Sequence, residues 1–145
     1  MPGFADPIVA VSSSHVATVM RQLNDLNCPA RIIAEPISRN TGPAVLATAL
    51  DLAETDPAAL ICVIPSDHIV KGDLTANVLA ARAAAESGHI VLFGVTPEYP
   101  ETGYGYIQLG DALSFDTPAG GGGEGGTSRL VTQFVEKPDL ATAEH

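Results

Sequence analysis

Apolar and polar positions divide the chain into short, continuous apolar runs and longer stretches with helical periodicity. Runs without polar alternation are typical of strands that a parallel sheet buries on both faces. Four segments predict such strands: residues 7–11, 31–34, 60–64 and 89–95. Between them, apolar side chains recur every three or four residues and predict helices over about residues 16–26, 42–53 and 73–87. The order βαβαβαβ predicts an α/β fold with a mainly parallel sheet and helices on both faces.

Capping residues mark the expected helix ends. Three consecutive serines at 12–14 offer hydroxyl groups to the start of the first helix, and the Asn-Cys-Pro sequence at 27–29 stops it. Thr41 is suited to cap the second helix, and Pro43 to lie in its first turn. Gly88 is expected to end the third helix in a left-handed conformation.

The pattern changes beyond residue 100, where apolar residues alternate with small or polar ones. The two alternating segments, 104–109 and 130–136, predict an antiparallel β-ribbon at the C-terminal edge of the sheet. Between them lies a glycine-rich stretch at 119–126, which is expected to be a mobile loop. It lacks the lysine of a phosphate-binding P-loop and opens no helix, so we assign it no phosphate-binding role.

The composition limits the classes of function. A chain of 145 residues with 46% hydrophobic content predicts a single domain over 1–145 with a real core. Its formal net charge of -10 argues against nucleic-acid binding, which needs clustered cations. No apolar stretch approaches the roughly 20 residues that span a bilayer, so we expect no membrane partner.

The cysteines and the N-terminus indicate the compartment. Cys28 and Cys62 do not form a disulfide framework, and Cys62 is expected to be a small core residue of its apolar run. The first residues have neither the basic nor the apolar region of a signal peptide, which predicts a cytoplasmic protein.

Asp67 is the first candidate for chemistry. It follows the apolar run at 60–64, where an open α/β sheet places functional groups beyond the carboxyl ends of its strands. The same carboxylate could instead cap the next segment. Its position alone favours neither interpretation.

A second candidate is the polar segment at 35–44, which feeds the second helix. A helix N-terminus presents free N–H groups to an anion. Taken alone, however, the segment is better explained as an ordinary strand-to-helix turn.

Four motifs in order carry a resemblance to a known family. They are EPISRNTGPA at 35–44, PSDH at 65–68, ETGYGYI at 101–107 and FVEKP at 134–138. Together they resemble the sugar-nucleotide pyrophosphorylases, and among these the bacterial mannose-1-phosphate guanylyltransferases, including the bifunctional mannose-6-phosphate isomerase type. The resemblance covers about residues 7–138. It implies a Rossmann-like nucleotidyltransferase fold and the conversion of GTP and mannose 1-phosphate to GDP-mannose and pyrophosphate.

The resemblance also implies roles for individual residues. Asp67 matches the carboxylate that holds the catalytic Mg²⁺ and contacts the nucleotide. The nucleotide-binding positions are Arg39, Asn40 and Thr41. Those that match the sugar-phosphate side are Gly103, Glu136 and Lys137. Asp67 and Lys137 are the two residues that the resemblance implies to be catalytic.

Without the resemblance, these residues have simpler explanations. Glu136 and Lys137 would form an exposed ion pair of little energetic value. We interpret His68 as a local hydrogen-bonding partner, because the phosphate nucleophile of this reaction needs no general base. Tyr104 and Tyr106 could each face sugar or core.

The sequence departs from the family in three respects. The family's glycine-rich nucleotide loop and its later metal and sugar residues have no counterpart in these 145 residues, as if truncated at both ends. Gly42 replaces the usual alanine, and the tract at 119–126 looks like an insertion. We therefore expect negligible activity from this chain alone.

The alternative hypothesis is a non-catalytic module derived from the same fold. Uncovered sheet edge and apolar surface would then bind a partner or a second copy, and we expect a homo-oligomer.

Overall fold

A computed structural model describes residues 3–37, 39–115 and 128–144. The chain forms two compact units, Met1–Val63 and Ile64–His145. The predicted glycine-rich loop at 119–126 lies outside the described residues.

The first unit is a strand-helix-strand segment followed by a second helix. Its elements are β1 (Ile8–Ser12), a 3₁₀ turn (Ser13–His15), α1 (Val16–Asp25), β2 (Arg31–Glu35) and α2 (Thr41–Ala53). The two strands pair in parallel, with Ile8 opposite Arg31 and Ser12 opposite Glu35. This confirms the predicted βαβ order at the start of the chain, because a parallel pair requires a crossover connection of the kind that α1 supplies.

The serines after β1 do not cap α1 as predicted. The N-cap of α1 is His15, and no side-chain hydrogen bond is made there. Instead, the Ser13 hydroxyl donates to the backbone carbonyl of Glu35 at 2.8 Å. The hydroxyl thus joins the carboxyl ends of β1 and β2.

The end of α1 follows the predicted stop signal. Asn27 has a φ of 49°, the left-handed conformation that asparagine tolerates better than most residues. Its N–H donates to the Asn24 carbonyl at 3.0 Å, and the Cys28 N–H donates to the Leu23 carbonyl at 2.9 Å. These two bonds form a Schellman motif, which satisfies carbonyls that the helix leaves without partners.

The second unit consists of short helices and a two-stranded ribbon. Its elements are α3 (Leu74–Ala80), α4 (Arg82–Glu86), β3 (Gly105–Ala112), β4 (Arg129–Glu136) and α5 (Leu140–Ala143). The predicted helix at 73–87 is present as α3 and α4, separated at Ala81. Asp73 caps its start by accepting the Ala76 N–H at 3.0 Å.

Gly88 ends α4 as predicted. It has a φ of 88°, and its N–H donates to the Ala85 carbonyl at 2.9 Å. The next N–H, that of His89, donates to the Ala84 carbonyl at 3.2 Å. Ala84 is also a buried apolar residue, so this helix end lies in the small core of the unit.

The predicted β-ribbon is confirmed. β3 and β4 are antiparallel, with Gly105 opposite Glu136 and Tyr106 opposite Val135. The register shifts after Gln108, so the far end of the ribbon is irregular. The ribbon is a sheet of its own, and the described residues do not add it to the edge of the parallel pair.

Two of the predicted strands are wrong. Residues 60–64 and 89–95 carry no strand, and the sheets of the described residues have two strands each. The reason is that a strand buried on both faces needs neighbours on both edges, and these runs find none. Cys62, predicted in the core, is accordingly exposed. The mixed α/β class holds, whereas the parallel sheet is confirmed only for β1 and β2.

These unpaired runs leave large apolar side chains in contact with solvent. Ile90 and Val95 are 94% and 92% exposed, and Ile69, beyond the first run, is 94% exposed. Within the described ranges, none of the helices has both the length and the apolar character that crossing a membrane requires.

Candidate nucleotide and sugar-phosphate site

The predicted sugar-phosphate residues lie together at one end of the β3–β4 ribbon. Gly103 precedes β3, Glu136 ends β4, and Lys137 follows it. The antiparallel register places Gly105 opposite Glu136. Just beyond this pair, the Lys137 N–H donates to the Tyr104 carbonyl at 3.1 Å. The ribbon therefore brings the turn that contains Gly103 next to the backbone that carries Glu136 and Lys137.

Gly105 allows this close approach because it has no side chain. A Cβ at this position would lie 2.6 Å from Phe134 Cζ and 3.0 Å from Glu136 Oε2. Distances this short require one of the neighbours to move. Sequence analysis quoted Gly105 only as part of the motif and did not single it out.

Lys137 has an unusual backbone conformation. Its φ is 46°, in the left-handed region that a residue with a long side chain rarely adopts. The bond to Tyr104 holds its N–H, and the following Pro138 is buried. Strained backbone of this kind is found preferentially at functional sites.

The charges at this end of the ribbon remain accessible. Lys137 Nζ lies 3.8 Å from Glu136 Oε1, and both side chains are more than half exposed. An ion pair in this setting contributes little to stability because water screens it. The ammonium and carboxylate groups are therefore free to meet an anion and hydroxyl groups.

Tyr104 and Tyr106 have different environments. Tyr104 is 66% exposed, which rules out the core for its side chain. Tyr106 is partly buried, and its hydroxyl accepts the Glu101 N–H at 2.8 Å. Glu101 Oε1 in turn accepts the Gly103 N–H at 2.9 Å. The sequence gives no signal for this role of Glu101, because turns closed by a side chain are typical of Asp, Asn, Ser and Thr rather than of Glu.

The predicted nucleotide-binding residues lie in the first unit, at the start of α2. The helix begins at Thr41, so Asn40 takes the N-cap position that sequence analysis gave to Thr41. Asn40 has a φ of 63° and makes no capping bond with its side chain. The Asn40 side chain therefore accepts none of the first N–H groups of α2. Pro43 lies in the first turn, as predicted.

A hollow of about 210 Å³ opens beside this helix start. Its lining is mostly apolar, with one cation and one carboxylate, and includes Ile33, Glu35, Ile37, Arg39, Pro43 and Ala47. Apolar walls with a lining cation are features of small-molecule sites, but the hollow is smaller than the roughly 300 Å³ at which such pockets begin. The hollow is formed within the first unit, by the end of β2 and the face of α2.

Asp67 lies in the second unit, in a turn with Ser66. It does not cap the next helix, since Asp73 has that position. Its carboxylate is exposed and receives no hydrogen bond from the described part of the chain. His68 beside it is exposed as well.

Asp67 has the chemistry of a Mg²⁺ ligand. Mg²⁺ is held in many enzymes by one or two carboxylates together with substrate phosphates and water. The exposed carboxylate of Asp67 fits the role of the protein carboxylate in such a site. Among the described residues, no three or more His, Cys, Asp or Glu side chains cluster as a metal site.

These observations describe an α/β protein with a helix start that the Asn40 side chain does not cap, an accessible carboxylate and a ribbon end that carries a lysine. The chain belongs to the nucleotidyl transferase family, whose profile matches residues 1–145. No solved structure matches the chain.

Curated relatives place it more closely within that family. A mannose-1-phosphate guanylyltransferase of Salmonella montevideo is 41% identical over 97% of this chain. The xanthan biosynthesis protein XanB of Xanthomonas campestris is 42% identical over 95% of it, and the alginate biosynthesis protein AlgA of Pseudomonas syringae is 42% identical over 98%. The resemblance seen in the sequence motifs is thereby confirmed. The chain spans only 27–29% of the length of these relatives.

The segment after Lys137 contains a titratable helix cap. Asp139 Oδ1 accepts the Thr142 N–H at 2.8 Å at the start of α5. Hydrogen bonding from the Thr142 side chain, and then from its backbone, lowers the pKa of Asp139 below the ordinary value of 3.8. These bonds favour the ionised form.

We therefore expect α5 to lose its cap only in strong acid. Because the pKa is lowered by folding, the stabilisation is fully present above pH 3.8 and is lost as pH falls through the folded value. A pH titration of the Thr142 amide by NMR should show a midpoint below 3.8. Asp139→Asn should abolish this titration, and a midpoint at or above the ordinary value would contradict the assignment.

Proposed function

We propose that this chain is a domain of the mannose-1-phosphate guanylyltransferase type. The reaction would join GTP and mannose 1-phosphate to give GDP-mannose and release pyrophosphate. The observation that carries the proposal is the ribbon end, where Gly103, Glu136 and Lys137 lie on adjoining backbone. A relative that is 41% identical to this chain carries this enzyme's name.

In the proposed site, the ribbon end binds the sugar phosphate. The Lys137 ammonium is exposed and would face the phosphate as a point charge. Glu136 would accept hydrogen bonds from sugar hydroxyls, because a carboxylate is a strong acceptor. Gly103 would allow the sugar to approach the backbone, since it has no side chain there.

The start of α2 is proposed to bind the nucleotide. The Asn40 side chain does not cap its first N–H groups, and Arg39 adds a cation to the lining of the adjoining hollow. A helix N-terminus with a nearby cation suits an anionic ligand. Asn40 and Thr41 would supply polar contacts to base and ribose.

Asp67 is proposed to hold Mg²⁺, and so to contact the nucleotide through the metal. The ion, when bound, would offset negative charge on the phosphate oxygens. The role of Asp67 is to supply a hard oxygen ligand from an exposed turn. A protein that uses GTP in this way would act in the cytoplasm.

The 145 residues by themselves are proposed to be inactive. The relatives that carry the enzyme's name are more than three times as long as the matched part. Nucleotidyl transfer depends on several groups that surround the phosphates at once, and the family's glycine-rich loop is one of them.

A second candidate function is self-association. The exposed apolar residues of the runs at 60–64 and 89–95 favour it, because such surface is rarely left in contact with water. In this proposal the chain is a homo-oligomer whose interface covers the runs, and no ligand is needed. The two candidates make different predictions.

The first test measures binding of GDP-mannose with Mg²⁺ by isothermal titration calorimetry. The unsubstituted chain should show saturable heat that disappears when the metal is removed. Asp67→Ala should lose it, whereas Asp111→Ala, which removes an exposed carboxylate of β3, should retain it. The expected loss is at least about tenfold in affinity, the usual scale for a charged hydrogen-bonding group. Equal binding by both variants would refute the role of Asp67.

The second test measures catalysis directly. The purified 145-residue chain, supplied with GTP, mannose 1-phosphate and Mg²⁺, should release no pyrophosphate above the protein-free control. The reason is the incomplete set of phosphate-binding groups. Formation of GDP-mannose, seen by chromatography, would overturn the proposed inactivity.

The third test addresses self-association. Sedimentation velocity over a range of concentrations should show a stable dimer or larger species, since association would bury the exposed apolar runs. Ile90→Lys should shift the chain toward monomer, and the matched change Leu140→Lys, at an exposed position on α5, should not. A monomer at high concentration contradicts this second candidate.

A further inference from the structure

The turn that carries Gly103 is tied to the ribbon by one residue, Glu101. Its side-chain Oε1 accepts the Gly103 N–H at 2.9 Å, which closes the turn from within. Its own backbone N–H donates to the Tyr106 hydroxyl at 2.8 Å, which ties the start of the turn to β3. Because both bonds involve Glu101, this one residue closes the turn and attaches it to β3.

The attachment extends to the residues of the proposed sugar-phosphate site. Tyr106 lies opposite Val135, the residue before Glu136. Between the turn and the ribbon, the Tyr104 carbonyl accepts the Lys137 N–H. Glu101 therefore acts on Gly103 directly, and Tyr106 fixes the turn to the strand pair that carries Glu136 and Lys137.

Gly103 needs such support because glycine is the least restrained residue. Without a Cβ, its backbone loses the most entropy when it is fixed in one conformation. A Cβ built on it would meet only Glu101, with Oε1 at 3.2 Å and Cδ at 3.8 Å. The rest of the space around its Cα is open among the described residues, and a ligand could approach there.

We infer that Glu101 is a positioning residue for the sugar-phosphate end of the site. Glu101 fixes the backbone conformation of Gly103, and the side of Gly103 that Glu101 does not cover faces the ligand. This inference rests on the proposed function. Tyr106 supports it through the hydroxyl group, and neither residue is assigned contact with the sugar.

The test uses three substitutions and one matched control in the full chain. Glu101→Ala removes the acceptor, Glu101→Gln keeps an acceptor without charge, and Tyr106→Phe removes the hydroxyl. The control is Asp73→Ala, which also removes a carboxylate that accepts a backbone N–H, but at the start of α3.

Two measurements are made on each variant. The first is the Gly103 amide proton chemical shift by NMR, which responds to the hydrogen bond that the amide donates to Glu101 Oε1. The second is the dissociation constant for mannose 1-phosphate with Mg²⁺. Relative to the unsubstituted chain, Glu101→Ala should move the Gly103 amide proton upfield, and Glu101→Gln should restore most of its position because the amide oxygen also accepts this bond.

The affinities should separate positioning from simple stabilisation. Glu101→Ala and Tyr106→Phe should weaken binding about three- to tenfold, the scale of one lost hydrogen bond. Glu101→Gln should restore most of the affinity because its amide oxygen also accepts the Gly103 N–H. Asp73→Ala should leave the affinity unchanged although it destabilises a helix.

The possible failures are distinguishable. If the unsubstituted chain binds mannose 1-phosphate and Glu101→Ala binds it equally well, the positioning role is overturned while the proposed function stands. If Asp73→Ala weakens binding as much as Glu101→Ala, the effect is one of stability, and the inference fails. If the unsubstituted chain does not bind the sugar phosphate at all, the proposed function and the inference both fail, even where Glu101→Ala moves the Gly103 amide resonance.

Discussion

The register of the β3–β4 ribbon is the constraint on which the candidate sugar-phosphate end depends. Gly105 opposite Glu136 sets which backbone groups of the two strands face each other. A slip of one residue would turn every side chain of one strand to the other face. The Tyr104–Lys137 bond lies just beyond this pair and exists only in this register. Side chains far apart in sequence are thus brought together by backbone pairing, not by burial.

The same register places the Phe134 and Glu136 side chains over Gly105. A Cβ at position 105 would require one of these side chains to move. Farther along, the pairing shifts after Gln108 and becomes irregular. The pairing without register shifts therefore covers the end of the ribbon that carries the candidate residues.

Features with local causes were predictable from the sequence. The ends of α1 and α4 follow from Asn27 and Gly88, whose conformations depend on a few neighbouring atoms. The ribbon followed from the two-residue alternation within each segment, although the paired residues lie far apart along the chain. The runs at 60–64 and 89–95 failed as strands because strand formation depends on neighbours that the apolar pattern does not specify. The sequence could name candidate residues through family motifs, but Glu101 needed coordinates, because its role lies in two hydrogen bonds.

The left-handed backbone of Lys137 has a consequence for substitutions at that position. Glycine adopts this conformation freely, whereas a residue with a Cβ is disfavoured there by roughly 1–2 kcal/mol. A sequence optimised for stability alone would carry glycine at 137. Engineering this chain for heat resistance would favour that replacement, and it would remove the ammonium group from the ribbon end. Stability and positive charge are in direct competition at this one position.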